Sequence, residues 1–392
     1  MEDEDVLVQQ LLLKLSQTRY ACSSLIKLSG GTANLVYRGN LLQPLGSQDG
    51  AKTATTKTVV IKHSKDFVPG NIDFALDVTR CIFEKSMLCA LANFSSAATT
   101  TTKTQIKAPR LYLFNREENV QILEDCSHTT DLKTILVSPD IHNYLPEPSL
   151  EYIGRHLGSW LRSFHTWTSA PEQASLRTTI GHNEGMRKLK RLITYDSFLE
   201  ILELYPQLVE GHLEALQTIK EAMIAQFEVD KPPTDGDENW GLIHGDLWTG
   251  NVLLPNAPYQ EENHPGQEPD RLFIIDWENA QFGHRAIDIG GMMADLYERK
   301  HFKSVGAVIP VMRGFAEGYG QISDEMAFRA AIHAGVHLIC WHIRRDPNLP
   351  LPAPMDKVFP ALKLGRDFIL KGWENDRKWF QSSVLAPLFA AG

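Results

Sequence analysis

The sequence predicts an α+β protein with two lobes: a small lobe built on a five-stranded antiparallel sheet with one helix, and a large, mainly helical lobe. The first third of the chain alternates short β-rich segments with turns, whereas apolar residues recur at helical spacing after Asp125. The chain has 392 residues, which is long enough for two packed units. We therefore expect a first lobe at 1–124, a hinge at 125–128 and a second lobe at 129–392.

The elements of the first lobe follow from composition. Five segments rich in Val, Ile, Leu and Tyr, separated by turn-forming residues, are predicted to be its strands: Leu25–Ser29, Asn34–Leu41, Thr58–His63, Arg110–Phe114 and Asn119–Leu123. Apolar residues at helical spacing predict one long helix from Ile72 to Leu91. Polar, low-complexity stretches predict long loops at 43–57, 95–107 and 255–270.

Composition restricts the function. Lys+Arg total 39 and Asp+Glu total 48, so the net charge of −9 disfavours a surface made for nucleic acid or anionic lipid. No segment approaches 18 consecutive apolar residues, so no membrane span is expected. The chain starts with acidic residues, and its five cysteines are scattered without a C-x-x-C pair. We expect a cytoplasmic protein that binds neither nucleic acid nor membranes.

The most informative segment is Leu242–Asn251, in a β-rich part of the second lobe. Asp246 stands five residues before Asn251 and two after His244, which is the spacing of a kinase catalytic loop. An Asp there can accept the proton of an attacking hydroxyl, and the Asn amide oxygen can bind Mg²⁺. Each short motif alone occurs by chance, but their order and their apolar flanks favour the functional interpretation.

A second acidic motif follows an apolar strand. Asp276 and Glu278 come directly after Phe273–Ile275. Because Mg²⁺ prefers oxygen ligands and bridges phosphates, carboxylates at this place are candidate magnesium ligands.

Two features of the first lobe complete the pattern. Gly30 and Gly31 lie between two predicted strands, where backbone amides can approach phosphates closely; a plain hairpin turn is the alternative. Lys62 lies within an apolar strand, where an ammonium group is costly unless it is paired. Glu84 on the following helix is its expected partner, and such a Lys–Glu pair holds the α- and β-phosphates in kinases.

Together these motifs resemble the aminoglycoside phosphotransferase/choline kinase superfamily, which has a protein-kinase-like fold. They are most similar to its methylthioribose-kinase-like branch, which includes fungal 4-hydroxytryptamine kinases. The matching motifs are LSGG…N, IKH, DLW[TS]GN[VI]LL and [IL]DWE…G…[DL]…G, in order from about Leu25 to Trp341.

The resemblance implies a role for each residue. Asp246 is the catalytic base, while Asn251, Asp276 and Glu278 hold magnesium. Asp288 holds the catalytic loop from the protein interior. ATP is bound by residues of the first lobe and by backbone groups of the hinge region, namely Gly30, Gly31, Asn34, Lys62, Glu84, Glu124 and Cys126.

The predicted function is an ATP- and Mg²⁺-dependent phosphotransferase that phosphorylates a hydroxyl group of a small metabolite. Amino alcohols, sugars and alkaloids all remain possible acceptors, and the sequence says nothing about oligomeric state. Methylthioribose kinases proper tend to have Ser in place of Asn251 and Pro in place of Trp277. A protein kinase is disfavoured because Asp288 follows Asp276 only 12 positions later, which leaves too little room for an activation segment. A non-catalytic nucleotide-binding protein would have lost one or more of the motif residues.

Two further patterns are interpreted as structural. His333 and His337 stand four apart on a predicted helix, but no third zinc ligand is evident. The basic residues within 187–191 are typical of a solvated helix face.

Overall fold

A computed structural model describes residues 4–28, 33–46, 56–94, 104–229, 232, 237–259, 271–343 and 353–390. The chain forms two compact units: a first unit of Met1–Asn93 and Ala108–His128, and a second unit of Phe94–Lys107 and Thr129–Gly392. The first unit thus differs from the predicted first lobe in two respects. It includes the predicted hinge, and it excludes an internal segment that joins the second unit.

The strands along the first part of the chain are β1 (Cys22–Lys27), β2 (Asn34–Leu45), β3 (Thr56–Ser64), β4 (Phe67–Val68), β5 (Asn71–Ala75), then β6 (Gln105–Lys107) of the second unit, β7 (Leu111–Asn115) and β8 (Val120–Glu124). Among the described residues, the first unit contains the predicted five-stranded antiparallel sheet, with strand order β1-β2-β3-β8-β7. The α+β class and this sheet are confirmed.

The first unit has a helix that the sequence analysis did not anticipate, α1 (Glu4–Leu15). Leu7, Leu11 and Leu15 lie on one face of α1 and are buried in the core beside the sheet. Leucines also occupy the intervening positions 12 and 13, so the helical spacing is hidden in the sequence.

The predicted helix from Ile72 to Leu91 is wrong in its first part, because α2 spans Arg80–Leu91. Strands β4 and β5 pair with each other just before it. The Asp77 carboxylate then accepts hydrogen bonds from the backbone N–H and the hydroxyl of Thr79, at 2.9 and 2.7 Å. This local turn competes with helix and delays the first helical turn.

The second unit is mainly helical. Its further strands are β9 (Thr129–Asp131), β10 (Trp240–Ile243), β11 (Val252–Pro255), β12 (Arg271–Ile274) and β13 (Gln281–His284). Its α-helices are α3 (Leu132–Val137), α4 (Ile141–Tyr144), α5 (Glu147–Ser169), α6 (Ala174–Gly181), α7 (Glu184–Arg191), α8 (Phe198–Glu203), α9 (Pro206–Val209), α10 (Leu213–Ala225), α11 (Ala286–Lys303), α12 (Val308–Tyr319), α13 (Asp324–Ile343), α14 (Met355–Trp373) and α15 (Arg377–Gln381). None of the described helices is both long and apolar enough to cross a bilayer.

Two small sheets support the catalytic motifs. Strands β10 and β13 pair with each other, and the second sheet has the order β6-β12-β11-β9. Strand β6 pairs with β12 in parallel, with Gln105 opposite Arg271, and Ile106 is buried. The predicted loop at 95–107 is therefore wrong at its end, whereas its residues 95–103 lie outside the described part of the chain.

Helices α5 and α12 pack backbone to backbone. A Cβ at Gly154 would lie 2.2 Å from the backbone oxygen of Val311, and a Cβ at Gly314 would lie 2.0 Å from that of Glu151. Glycine is required at both positions because a side chain would force the helices apart.

Candidate active site

The loop between β10 and β11 contains the predicted base. It turns at Gly245, whose φ is +79°. A Cβ there would lie 2.3 Å from the backbone oxygen of Asn279, so both the φ and the space require glycine. Asp246 follows directly, and 23% of its side chain is exposed. Its carboxylate is therefore accessible to a bound molecule.

Asp288 on α11 holds this loop from the interior. Its buried carboxylate accepts hydrogen bonds from the backbone N–H groups of His244 and Gly245, at 2.8 and 2.9 Å. Burial alone would raise the pKa of Asp288, but the hydrogen bond with His165 and the hydrogen bond from the His244 backbone lower the pKa below its ordinary value. Asp288 is thus ionised, and it occupies the structural position that the family resemblance implies.

His165 on α5 lies behind Asp288. Its Nε2 is 3.2 Å from the Asp288 carboxylate, and its Nδ1 is 2.8 Å from the Tyr319 hydroxyl. Burial lowers the pKa of His165 to about 4, although Asp288 opposes the shift. The neutral ring therefore donates from Nε2 to Asp288 and accepts at Nδ1 from Tyr319.

Asn251 ends the loop and is 5% exposed. Its Nδ2 donates to the backbone oxygen of Asp246 at 2.9 Å and lies 3.4 Å from the Asp246 carboxylate. Because these contacts use the nitrogen, the amide oxygen is the atom suited to bind a cation. The role of Asn251 as a magnesium ligand stays a prediction.

Strand pairing places Asp276 beside Asn251. Val252 in β11 pairs with Ile274 in β12, and the backbone N–H of Ile275 donates to the backbone oxygen of Asn251 at 3.0 Å. Asp276 is the next residue, and its backbone is left-handed, with φ of +66°. Asp tolerates this conformation better than most residues. Asn251 and Asp276, two of the three predicted magnesium ligands, therefore lie at the same end of this ladder.

The residues after Asp276 are buried and tightly held. The Trp277 indole donates to the Ile274 backbone oxygen at 2.9 Å, and Glu278 is 1% exposed. Asn183, just before α7, donates from Nδ2 to the backbone oxygen of Glu278 at 2.9 Å. The carboxylates of Asp276 and Glu278 and the amide oxygen of Asn251 are hard oxygen donors, the type of ligand that Mg²⁺ prefers.

In the first unit, Lys62 on β3 and Glu84 on α2 form the expected ion pair. The Lys62 ammonium lies 2.9 Å from the Glu84 carboxylate, and the two residues are 5% and 2% exposed. Pairing balances the charge of each group where water is excluded.

Asn34 has a structural partner that the sequence analysis missed. The Asn34 amide oxygen accepts hydrogen bonds from the Ser64 hydroxyl at 2.8 Å and from the buried Arg80 guanidinium at 3.1 Å. Arg80 also donates to the Ala33 backbone oxygen at 2.7 Å, so it anchors the start of β2. Gly30 and Gly31 lie outside the described residues.

The end of β8 ties its own acidic side chains to the first unit. The Glu124 carboxylate accepts a hydrogen bond from the Arg110 backbone N–H at 3.0 Å. Arg38 binds the Asp125 carboxylate through two nitrogens, at 2.8 and 3.1 Å. Burial raises the pKa of the half-buried Cys126 thiol, and the two neighbouring carboxylates add to the shift. The Cys126 thiol therefore stays neutral.

The basic run on α7 is not uniformly solvated, so that interpretation is wrong for two of its members. Arg187 and Lys190 are 9% and 6% exposed, whereas the Lys188 side chain is 73% exposed. The Lys190 ammonium lies 3.7 Å from the Asp246 carboxylate. No sequence pattern points to this contact, because the like charges at 187–191 conceal which helix face is buried.

The two histidines on α13 have different surroundings. His333 is hydrogen-bonded through Nδ1 to the Tyr195 hydroxyl at 2.9 Å, and among the described residues it does not belong to the group of ligand atoms around His337. His337 lies beside α11. Within the described residues, ligand atoms of Asp295, Glu298 and His337 lie within 4.8 Å of one another. We call these three residues the Asp295 cluster.

The Asp295 cluster adjoins the catalytic loop. The Asp295 carboxylate accepts a hydrogen bond from the Thr249 backbone N–H at 3.1 Å and pairs with Arg299. Burial raises the pKa of Glu298 well above its ordinary value, and the charge of Asp295 adds to the shift. Among the described residues, Glu298 Oε1 has no hydrogen-bond partner, although His337 lies 3.7 Å away. Sequence analysis missed this cluster, whose one local signal is the spacing of three between Asp295 and Glu298.

Comparison with known proteins agrees with these motifs. The model of the phosphotransferase enzyme family matches residues 91–330, and the chain belongs to this family. The resemblance that the motifs indicate is therefore confirmed, and the protein is a phosphotransferase.

Two relatives align over most of the chain. Phosphotransferase FrzJ of Cladobotryum sp. is 28% identical over 99% of this chain and 97% of its own. The 4-hydroxytryptamine kinase of Psilocybe cubensis is 21% identical over 87% and 86%, respectively. Among solved structures, an ethanolamine kinase of Plasmodium vivax is similar with a TM-score of 0.48 and 13% identity, covering 95% of this chain and 89% of that one.

Proposed function

We propose that this phosphotransferase transfers the γ-phosphoryl group of ATP to a hydroxyl group of a small, amine-bearing metabolite. The observation that carries the proposal is the arrangement in the second unit of Asp246, Asn251 and Asp276. The Asn251 amide nitrogen is bound to the Asp246 backbone, and strand pairing places Asp276 next to Asn251. A partly exposed base next to oxygen donors for a cation is what phosphoryl transfer needs.

Each residue has a role in this proposal. Asp246 binds the acceptor hydroxyl, orients it and accepts its proton. Asn251, Asp276 and Glu278 hold Mg²⁺, which when bound neutralises phosphate charge. In the first unit, Lys62, positioned by Glu84, binds the α- and β-phosphates. The segment of Gly30, Gly31 and Asn34 and the backbone at Glu124 and Cys126 are proposed to bind the rest of the nucleotide.

The Asp295 cluster supports an amine on the acceptor. Glu298 Oε1 is buried without a hydrogen-bond partner among the described residues, and Asp295 is bonded to the catalytic loop at Thr249. A buried carboxylate is stabilised by a cation, and an ammonium group supplies one together with hydrogen-bond donors. The 4-hydroxytryptamine kinases among the relatives are named for an acceptor with both a hydroxyl and an amine.

The test is ATP consumption by the purified full chain with Mg²⁺, against matched pairs of acceptors. Each pair is a hydroxyl compound with an amine and its analogue without the amine, in the amino alcohol, sugar and indole classes. We expect turnover for at least one amine-bearing acceptor, with a product heavier by one phosphate in the mass spectrum. Asp246→Asn should lower kcat by about 10²- to 10⁴-fold, since general base catalysis contributes that much.

Glu298→Gln tests the amine. It should reduce kcat/KM for the amine-bearing acceptor by roughly 10- to 100-fold, the usual contribution of a hydrogen bond to a charged group, and leave the analogue without an amine unchanged. Glu317→Gln, at an exposed position on α12, is the control. Equal loss for both acceptors would refute the amine contact, and the absence of any phosphorylated product would refute the proposed function.

A further inference from the structure

The proposed function gives no role to one buried cation in the second unit, Lys190. Its side chain is 7% exposed, and its Nζ lies 3.7 Å from Oδ1 of Asp246. This distance is too long for a hydrogen bond but lies within the range of an ion pair. An ammonium group in such a position is costly unless its surroundings favour the charge. Its location therefore needs an explanation beyond helix solubility.

Helix α7, which carries Lys190, is attached to both catalytic segments. Asn183, the residue before α7, donates from Nδ2 to the backbone oxygens of Glu278 and Ala280, at 2.9 and 2.8 Å. These oxygens belong to the segment that follows Asp276. Lys190 lies seven residues, or about two turns, after Asn183 and hence on the same face. One helix face thus contacts the candidate metal-binding segment at its start and the candidate base near its end.

The groups around Lys190 define its charge environment. Towards the loop it faces the carboxylate of Asp246. Towards α13 it faces His333, whose pKa is lowered to about 3, first by burial and then by the charge of Lys190. His333 is therefore neutral and is fixed by its hydrogen bond with Tyr195. The carboxylate of the candidate base is thus one of the groups that Lys190 faces.

We propose that Lys190 is a positioning residue for phosphoryl transfer, an inference that rests on the proposed function. Its ammonium fixes the Asp246 carboxylate in the orientation that binds the acceptor hydroxyl. In a loose transition state most of the catalytic effect comes from positioning and electrostatics, so the direction of this carboxylate matters more than its basicity. The lysine acts through Asp246.

The test compares variants of the full chain that differ in the charge at position 190. Lys190→Met removes it, Lys190→Gln removes it but keeps a polar group, and Lys190→Arg restores it. We expect Lys190→Met and Lys190→Gln to lower kcat by about 100-fold, as for a reacting group displaced by 1 Å, with KM for ATP changed less than about twofold. Lys190→Arg should recover a large part of kcat.

Lys188→Met is the matched control, because Lys188 lies on the same helix with its side chain 73% exposed. It should retain the wild-type kcat. The inference is overturned if Lys190→Met and Lys190→Gln keep kcat within about twofold, if Lys190→Arg is no better than Lys190→Met, or if kcat falls only together with the melting temperature. A wild-type protein without turnover on any acceptor overturns the proposed function and this role with it.

Discussion

Each unit contains a buried lysine next to a carboxylate, and the two pairs differ in how closed they are. In the first unit Lys62 and Glu84 are 2.9 Å apart, and their side chains are 7% and 2% exposed. In the second unit Lys190 and Asp246 are 3.7 Å apart, and their side chains are 7% and 23% exposed. The lysines are equally buried, but only the second carboxylate is open to solvent.

The difference in exposure suits the two lysine–carboxylate pairs to different roles. A closed, hydrogen-bonded pair joins a strand to a helix and fixes an ammonium group, and its carboxylate is engaged by the lysine. A longer and half-open pair leaves the carboxylate able to bind a hydroxyl group. Buried charge pairs contribute little net stability, yet losing one partner is strongly destabilising because the other charge is left in the interior.

The largest effect is expected on breaking the closed pair. Glu84→Gln leaves the Lys62 charge without its counter-ion, which should lower the free energy of unfolding of the first unit by about 3–5 kcal/mol. Urea unfolding and hydrogen exchange of β3 amides measure it. Glu118→Gln breaks an exposed pair with Lys14 in the same unit and should cost less than about 1 kcal/mol. Equal costs for the two variants would contradict the comparison.

An intermediate effect on stability is expected in the second unit at low pH. The loop that carries Asp246 is held by Asp288, and Asp288 is hydrogen-bonded to His165, which is buried and neutral. The pKa of His165 is about 4 in the folded state and 6.5 when unfolded. The unfolded chain therefore binds more protons between these values, so stability is fully present above pH 6.5 and is lost as the pH falls towards 4, by about 3 kcal/mol.

His165→Asn should remove this part of the pH dependence, although it also lowers stability at pH 7. The measurement is the free energy of unfolding from urea titrations at several pH values. His142→Asn, at an exposed position in the same unit, controls for loss of an imidazole. A wild-type-like slope in His165→Asn would show that other groups cause the acid sensitivity.

The smallest effect on stability is expected on breaking the half-open pair. Lys190→Met should change the free energy of unfolding by less than about 1 kcal/mol, because Asp246 keeps its contact with water. Thermal and urea unfolding of this variant beside Glu84→Gln measure the contrast. If Lys190→Met is as destabilising as Glu84→Gln, the second pair is structural and the contrast disappears.

Short-range patterns predicted the elements that carry the candidate site. Asp246 and Asn251 lie on one loop, and Asp276 follows the neighbouring strand, so their proximity needs only local spacing and one hairpin register. The five strands of the first sheet were found for the same reason. Predicting the pair of Lys62 and Glu84 required one further step, namely that helix α2 packs on strand β3, which precedes it in the chain.

Features that depend on contacts between distant parts of the chain could not be predicted from the sequence. Whether Lys190 faces solvent or the interior depends on which face of α7 packs on the loop, and a run of like charges conceals that face. The start of α2 was misplaced because the turn at Asp77 competes with helical spacing. Arg80 was missed because its partners, Ala33 and Asn34, lie nearly fifty residues earlier.

Strand β6 sets an order of events during synthesis. It belongs to the second unit, although its residues lie between α2 and β7 of the first. Its partner β12 follows about 165 residues later, so at roughly 5–20 residues per second a ribosome takes about 10–30 s to deliver it. During that interval β6 has no partner strand, whereas the first unit, which ends at His128, has already been synthesised in full. A chaperone that shields short exposed edges would have its greatest effect in this interval.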